Sequence, residues 1–324
     1  MKRAARGLLL INLGTPAAPT TAAVQRYLRE FLSDPRVMDM HPVLRWLVLN
    51  AVILPRRPQR TAALYRKIWT AEGTPLLVHG RALAEKLTAR LGSNVRVHLA
   101  MRYGQPSIAS ALQQFRDEGI AHITIFPLFP HYATSSWGSA VANVYEEAAR
   151  VWNTPAITVI SPYYDHPAYI RALCAVAQPV LEKFRPDQLL ISFHGIPERH
   201  IRKSGEGSAF CYKTQCVATA EGLAQQLGWP KERYHISFQS RLGRDPWIQP
   251  FTDHVIPQLA AAGVRRLAVA CPSFVADCLE TLEEIGMTAR EQFCRAGGED
   301  LTLIPALNSH DVWVDAVERI IAHL

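Results

Sequence analysis

His194 follows a run of apolar residues and directly precedes Gly195. An apolar run of this length predicts a buried strand, so the imidazole stands where the strand ends, with backbone close beside it. A neutral imidazole in that place accepts protons or binds a divalent transition metal. A histidine that is satisfied within the core or a loop fits the same pattern, so both interpretations stay open on this residue alone.

A second group of polar residues lies in the segment CPSFVADCLETLEEIG. We expect a helix that begins near Phe274 or Val275. Its 3.6 residues per turn would place Asp277, Glu280 and Glu284 on one face. Such a stripe is either a solvated acidic face or the wall of a binding site, where clustered carboxylates raise one another's pKa and accept protons near neutral pH. An imidazole facing these carboxylates suits a transient metal site better than closed structural zinc, which needs more ligands.

The chain contains two copies of one pattern. RGLLLINLGTP aligns without a gap with DQLLISFHGIP, which pairs Leu13 with His194, and AMRYGQP and FPLF are followed in the same order by QSRLGRDP and CPSF. The first two signatures lie about 90 residues apart in the first copy and about 48 apart in the second, so the first copy carries an insertion of roughly 40 residues. Two long copies predict two similar lobes with a ligand cleft between them.

Short apolar runs alternate with amphipathic ones along the whole chain, which is a βαβ rhythm. We therefore predict an α/β fold of two similar Rossmann-like lobes, each a parallel sheet flanked by helices. Residues 1–160 form the N-terminal lobe, with a hydrophobic lip insertion around 35–71, and residues 161–324 form the C-terminal lobe with the histidine and the acidic helix. The predicted strands are LLLINL, VRVHLAM, HITIFPL, AITVI, LLISFH, YHISFQ, RRLAVAC and LTLIPAL. Neither NLGTP nor FHGIP contains the GxGxxG fingerprint, so the sequence gives little reason to predict a dinucleotide cofactor.

Composition narrows the partners and the compartment. A net charge of +7 favours anionic partners, but no Lys/Arg block indicates nucleic acid. The basic start resembles a secretory signal, yet its apolar run breaks early at Gly14, and VLRWLVLNAVIL is too short to span a membrane. We expect a cytoplasmic protein. Six cysteines form no disulfide framework, and the pair Cys211 and Cys216 lacks a second pair, so buried thiols are favoured over a zinc or iron-sulfur site.

The sequence resembles the ferrochelatase family from near its start to the IPALN segment near its end. The motifs that carry the resemblance are LLLINLGTP, YRKIW with GTPL, MRYGQPSI, FPLFPHYATSS, ISFHGIP, ISFQSRLGRDPWIQPFTD and CPSFVADCLETLEEI. The resemblance implies two Rossmann-like lobes around a cleft in which ferrous iron is inserted into protoporphyrin IX, as the terminal step of haem biosynthesis. The products are protohaem and two protons. Porphyrin and ferrous iron are then the partners, with iron as substrate and no cofactor bound permanently.

The resemblance also implies roles for particular residues. His194 takes pyrrole protons or binds the metal, and Glu280 faces it across the porphyrin as the second metal ligand. Asp277 and Glu284 belong to an acidic relay behind that glutamate. The implied substrate contacts are Leu13, Arg102, Tyr103, Tyr132, Trp247 and Lys67.

The insertion resembles the lip of the substrate pocket in this family. Its apolar run would admit an apolar substrate, and Arg56, Arg57, Arg66 or Lys67 would meet propionates. An amphipathic lip also allows peripheral contact with a membrane. The alternative for this segment is an ordinary packing helix.

Two departures from the family pattern bear on the site. Some relatives have a second histidine where this chain has Cys278, which puts a two-histidine metal relay in doubt. Others carry a [2Fe-2S] cluster on cysteines near the C-terminus, but no cysteine follows Cys294 here, so a cluster is not expected. Competing functions are insertion of metal into another tetrapyrrole, such as coproporphyrin III or sirohydrochlorin, and porphyrin carriage without catalysis.

Overall fold

The computed structural model describes residues 6–322 except 242 and 244. The basic residues 1–5 at the start of the chain, and the two omitted positions of the QSRLGRDP signature, therefore lie outside the described residues. The chain divides into two compact units. The first comprises Met1–Phe129 and Thr134–Ser161, and the second comprises Pro130–Ala133 and Pro162–Leu324.

The first unit is built on a four-stranded parallel sheet in the order β2-β1-β3-β4. Its strands are β1 (Arg6–Gly14), β2 (Val95–Tyr103), β3 (His122–Pro127) and β4 (Ala156–Val159). Residues 7–12 of the central strand are all buried, because both faces of a parallel sheet are covered by helices. Leu9, Ile11, Phe115 and Ile125 lie in the resulting core cluster.

Helices connect the strands of the first unit. They are α1 (Thr21–Ser33), α2 (Pro42–Leu47), α3 (Arg57–Ile68), α4 (Pro75–Leu91), α5 (Ile108–Asp117) and α6 (Ser139–Ala149), with π-helical turns at Val48–Ile53 and Thr134–Gly138 and a 3-10 turn at Gly92–Asn94. Thr20, Thr74 and Ser107 begin three of them, and each side chain accepts a hydrogen bond from a backbone amide of the first turn. This is the capping that Ser and Thr favour.

The second unit repeats the same sheet in the order β6-β5-β7-β8, again with every pair parallel. Its strands are β5 (Gln188–His194), β6 (Tyr234–Gln239), β7 (Arg266–Ala270) and β8 (Asp300–Leu303). Its helices are α7 (Pro167–Phe184), α8 (Glu198–Ser204), α9 (Tyr212–Gln226), α10 (Thr252–Ala261), α11 (Arg290–Arg295) and α12 (Asp311–Ile321), with a 3-10 turn at Lys231–Arg233 and a π-helical segment at Glu280–Ala289. The expected fold of two similar Rossmann-like units, each a parallel sheet flanked by helices, is confirmed.

The structure shifts one part of the expected repeat. The signatures AMRYGQP and QSRLGRDP do not match end to end. Met101 N donates to Pro106 O (2.7 Å), and the equivalent bond in the second unit runs from Phe238 N to Pro250 O (2.8 Å). The reason is a longer loop between β6 and α10. Arg102 and Tyr103 therefore occupy the positions that Gln239 and Ser240 hold in the second unit.

The lip segment is exposed rather than packed where it begins. Helix α2 contains no buried residue, and Trp46 is 63% exposed. An ordinary packing helix does not fit α2, whereas α3 does bury one face, including Ala62 and Tyr65. Among the described residues, no helix combines the length and the apolar composition that a membrane crossing requires.

Candidate active site

His194 is the last residue of β5, and its side chain is half-buried. Its Nδ1 lies 2.6 Å from the carbonyl oxygen of Gly195. A carbonyl oxygen only accepts hydrogen bonds, so Nδ1 carries the proton in the neutral ring. Nε2 is then the atom with the lone pair, which is available to a proton or a metal.

Three side chains fix the backbone and the surroundings of this histidine. The hydroxyl of Tyr212 donates to the carbonyl oxygen of His194 (2.8 Å), and Ser273 accepts from the His194 amide (3.4 Å). The ring of Phe274 lies 6.1 Å from the imidazole, centroid to centroid. Tyr212 is buried, and its hydroxyl lies 3.2 Å from that of Ser273. The backbone that carries the imidazole is therefore held firmly in place.

Trp247 lies against the glycine that follows the histidine. A Cβ placed on Gly195 would come within 3.2 Å of the Trp247 ring and 2.9 Å of the Gln239 carbonyl oxygen. Pro197 and Trp247 also form an antiparallel bridge. The absence of a side chain on Gly195 therefore lets the indole approach the backbone beside His194.

Glu284 receives its hydrogen bonds from the residues that follow β6. Ser240 donates to its carboxylate through both the amide (2.9 Å to Oε1) and the hydroxyl, and the Gln239 amide lies 3.5 Å from Oε2. Ser240 has a φ of 64°, a left-handed conformation that is uncommon for residues other than glycine. This conformation brings both of its donors to one carboxylate, and such strain is typical of functional sites.

The charges of His194 and Glu280 both affect the pKa of Glu284. Burial raises the pKa of Glu284, and the nearby charge of Glu280 raises it further. The hydrogen bonds from Ser240 and the charge of His194 oppose that rise, but the pKa stays above its ordinary value. The structure therefore brings together three of the expected site residues.

Glu280 begins the π-helical segment and has a cysteine as its neighbour. Its backbone oxygen accepts from Gln239 Nε2 (2.8 Å), and its carboxylate hydrogen-bonds the buried Cys278 thiol. Burial, together with that carboxylate, raises the pKa of Cys278 well above its usual range. Burial beside a carboxylate thus favours the neutral thiol of Cys278 in the protein without metal.

The position of Asp277 corrects the expected acidic stripe. The helix does not begin near Phe274 or Val275, because residues 274–278 form a loop. The Asp277 carboxylate instead accepts from Thr281 Oγ1 (2.8 Å), Asn308 Nδ2 (2.7 Å) and the Ala306 amide (3.3 Å). These local donors stabilise the loop before the π-helical segment. Asp277 is therefore buried among its hydrogen-bond donors in that loop, and it does not share a helix face with the glutamates.

The corresponding place in the first unit holds no imidazole. Leu13 is half-buried and packs against the core cluster under the sheet. Gly14 follows it with a φ of +118°, and a Cβ there would come within 1.8 Å of the Tyr103 carbonyl oxygen. The ends of β1 and β2 therefore meet more closely than any side chain at this position would permit.

Arg102 and Tyr103 are held by a carboxylate that sequence reasoning missed. The guanidinium Nη2 of Arg102 lies 2.7 Å from Asp34 Oδ2, and the Tyr103 hydroxyl donates to the same oxygen (2.8 Å). Tyr103 is only 1% exposed. A residue so deeply buried supports the site from within the fold and does not fit the expected direct contact with substrate.

Tyr132 and Lys67 are the remaining expected contacts. Tyr132 belongs to the second unit, where its amide donates to Gln215 Oε1 (2.6 Å) and its ring contacts Phe210. Lys67 is exposed in the last turn of α3. The neighbouring Arg66 donates to the Pro19 carbonyl oxygen (3.2 Å).

Sequence reasoning missed Gln239, Ser240 and Asp34. The first two had a signal, because Gln239 ends a strand of the second copy and Ser240 follows it, as Arg102 and Tyr103 end the matching strand of the first. Asp34 had none, because its partners are distant in the sequence.

The described residues contain no cluster of three or more His, Cys, Asp or Glu side chains arranged to hold a metal ion. Cys211 and Cys216 are both buried free thiols. Burial raises the pKa of Cys216 well above its usual range.

Two parallel sheets of identical order, each with site residues at the carboxyl ends of its strands, place the protein among the α/β proteins with two Rossmann-like units. Solved structures of this class agree: a sirohydrochlorin chelatase SirB from Bacillus subtilis subspecies spizizenii, described in complex with cobalt, aligns with a TM-score of 0.57 at 10% identity over 98% of this chain and 94% of that one. CbiX, described as the terminal enzyme for biosynthesis of sirohaem in denitrifying bacteria, aligns with a TM-score of 0.51 at 12% identity over 98% of each chain. These likenesses show the fold.

The family follows from closer relatives. The family model described as Ferrochelatase matches residues 5–324. A ferrochelatase of Coxiella burnetii (strain Dugway 5J108-111) is 44% identical over 97% of this chain and 92% of its own length, and that of Edwardsiella ictaluri is 45% identical over 98% and 97%. The chain belongs to the ferrochelatase family.

Proposed function

We propose that this protein inserts ferrous iron into protoporphyrin IX, giving protohaem and two protons, as the terminal step of haem biosynthesis. It is an enzyme, a lyase of the ferrochelatase family. The observation that carries the proposal within the structure is the hydrogen bond from His194 Nδ1 to Gly195 O. In the neutral ring this bond leaves the lone pair on Nε2, in a site that also contains two glutamates.

Metal insertion needs proton acceptors, because each porphyrin releases two N–H protons as iron takes their place. His194 Nε2 accepts one proton, and the Nδ1–H bond to Gly195 supports the imidazolium that forms. The nearby carboxylates lower the cost of that positive charge. Glu284, whose pKa is raised, accepts a proton nearer neutral pH than an exposed glutamate does, so it suits the second transfer.

The iron arrives as a substrate and needs donors that release it again. His194 and Glu280 supply one nitrogen and one carboxylate, a mixed set that suits divalent first-row metals. Two protein donors hold such an ion less tightly than a closed site of four does. The same imidazole is freed to take a proton once the iron has moved to the porphyrin.

We assign Leu13, Arg102, Trp247, Tyr132 and Lys67 to the porphyrin. Tyr103 supports this surface only indirectly, through Asp34.

The apolar side chains exposed on the lip support peripheral contact with a membrane in a protein that otherwise acts in the cytoplasm. These are Val43, Leu44, Trp46, Leu47 and Val52. Apolar side chains of this kind insert at a lipid interface. Co-sedimentation with anionic lipid vesicles checks this, and a Trp46→Ser variant that sediments as fully as wild type would count against it.

The test of the function is an anaerobic assay with protoporphyrin IX and ferrous iron, in which the visible spectrum reports loss of free porphyrin and gain of haem. Wild type should turn over many times. His194→Ala should lower kcat about 1000-fold. The matched control is His235→Ala, which removes a half-buried histidine from the adjacent strand and should leave turnover within about twofold.

The other outcomes each point elsewhere. A tight spectral shift without turnover would make the protein a porphyrin carrier. Turnover only with coproporphyrin III or sirohydrochlorin would change the substrate and keep the reaction. Turnover that survives in His194→Ala would move the chemistry to another residue.

A further inference from the structure

Asp34 lies between the end of α1 and the start of the lip, and its side chain is only 4% exposed. Its own backbone oxygen accepts from the amides of Val37 (3.0 Å) and Met38 (2.9 Å). Its Oδ1 accepts from the Arg36 amide (2.7 Å). The residue therefore shapes the first turn of the lip through both its backbone and its side chain.

The other carboxylate oxygen binds the end of the sheet. Oδ2 accepts from Arg102 Nη2 (2.7 Å), from the Tyr103 hydroxyl (2.8 Å) and from the Ser139 hydroxyl (2.5 Å). Arg102 Nε in turn donates to Ser139 Oγ (2.7 Å). One carboxylate thus joins three parts of the first unit: the base of the lip, the carboxyl end of β2 and the first residue of α6.

Arg102 is the member of this network that can face a ligand. Its side chain is 17% exposed, and two of its three nitrogens are bonded to Asp34 and Ser139. Within the described part of the chain, Nη1 makes no hydrogen bond. The residue stands at the carboxyl end of a parallel strand, where α/β sheets bind their ligands.

We propose that Asp34 is a positioning residue for porphyrin binding, which acts by holding the Arg102 guanidinium in one orientation. This inference rests on the proposed function. Asp34 does not touch the substrate; Arg102 does. Arginine is suited to this because its planar group keeps a fixed orientation when one edge is bound to a carboxylate.

The experiment is a double-mutant cycle on porphyrin affinity with Asp34→Asn, Arg102→Met and the double variant. Asp34→Asn should raise the KM for protoporphyrin about tenfold, because a charge-assisted pair is lost, and leave the KM for ferrous iron within about twofold. In the Arg102→Met background the same change should have no further effect on the porphyrin KM, because the group it positions is already gone. A purely structural role would instead multiply the two losses.

The controls separate the ways in which this could fail. Asp117→Asn removes an exposed carboxylate from α5 and should match wild type. If Asp34→Asn does not fold, Ser139→Ala replaces it, with an expected rise in porphyrin KM of about threefold that also disappears in Arg102→Met. An unchanged porphyrin KM, or multiplied losses, would overturn the inference. If wild type itself shows no turnover, the proposed function fails, and the cycle is then measured on porphyrin fluorescence quenching.

Discussion

At the equivalent strand ends of the two units, the surroundings shift the pKa of a buried carboxylate in opposite directions. In the first unit Asp34 receives four hydrogen bonds, one of them from Arg102. Burial would raise the pKa of Asp34, but Ser139, the Arg36 amide, Tyr103 and the Arg102 charge together lower it. In the second unit Glu284 is bound by neutral donors, and its pKa is raised. The partners of Asp34 thus favour its ionised form, whereas the surroundings of Glu284 favour its protonated form.

The positions behind this difference are structurally equivalent. When the two sheets are aligned, Arg102 and Gln239 hold the same position near the carboxyl ends of β2 and β6, and Tyr103 and Ser240 hold the next position. A cation in the first unit is replaced by a neutral amide in the second. Since the sheets are the same, the chemistry of each unit is decided by a few side chains at the strand ends.

The largest effect we expect is on stability, at the glycines that end the central strands. Gly14→Ala should destabilise the protein by at least about 3 kcal/mol, because alanine is strained at a positive φ and its Cβ would overlap a backbone oxygen. Gly195 has no positive φ, and its Cβ contacts are longer. Gly195→Ala should therefore cost about 1–2 kcal/mol.

Urea unfolding followed by circular dichroism measures both changes. Equal losses at Gly14 and Gly195 would mean that the two strand ends are not distinguished by backbone geometry. Gly195→Ala should also lower turnover, because Trp247 and the His194 backbone must move apart to admit the methyl group.

The next effect tests Glu284 through its hydrogen bonds. Glu284→Gln should lower kcat about 100-fold, because it removes a proton acceptor. Ser240→Ala should be milder and should change the pH dependence. Because the Ser240 donors lower the pKa of Glu284, loss of the hydroxyl raises that pKa, and the acidic limb of the kcat/KM profile should move up by about one pH unit.

Ser110→Ala is the control for this experiment, because it removes a serine hydroxyl from the first turn of α5 in the other unit. Its pH profile should overlay that of wild type. A Ser240→Ala limb that stays in place, or moves to lower pH, would show that Glu284 is not the group that titrates.

The sequence predicted the sheets better than the details of the site. All eight strands were expected, because each is a short apolar run and parallel strands are buried on both faces. The pairing of Leu13 with His194 survives in the strand registers, where Asn12 pairs with Met101 and Phe193 with Phe238.

The errors have local causes. The α-helical period predicts an acidic helix that begins too early, because these residues form a loop and then a π-helical segment, for which that spacing does not hold. The repeat after β6 was shifted by a longer loop. Asp34 left no trace in the local pattern, because a network formed by residues from 34 to 139 depends on tertiary structure.

The smallest effect distinguishes Asp277 from the glutamates. Its carboxylate accepts hydrogen bonds from Thr281, Ala306 and Asn308. We therefore expect Asp277→Asn to lower the stability of the protein and to leave proton transfer unchanged. An asparagine amide cannot accept from Asn308 Nδ2 through its own nitrogen, so the variant should lose about 1 kcal/mol of unfolding free energy in urea. Its kcat should stay within about twofold of wild type, with an unshifted acidic limb. A shifted limb together with a kcat lowered well beyond twofold would instead return Asp277 to the relay with Glu284, because loss of a nearby charge alone shifts the limb but leaves the proton acceptors in place.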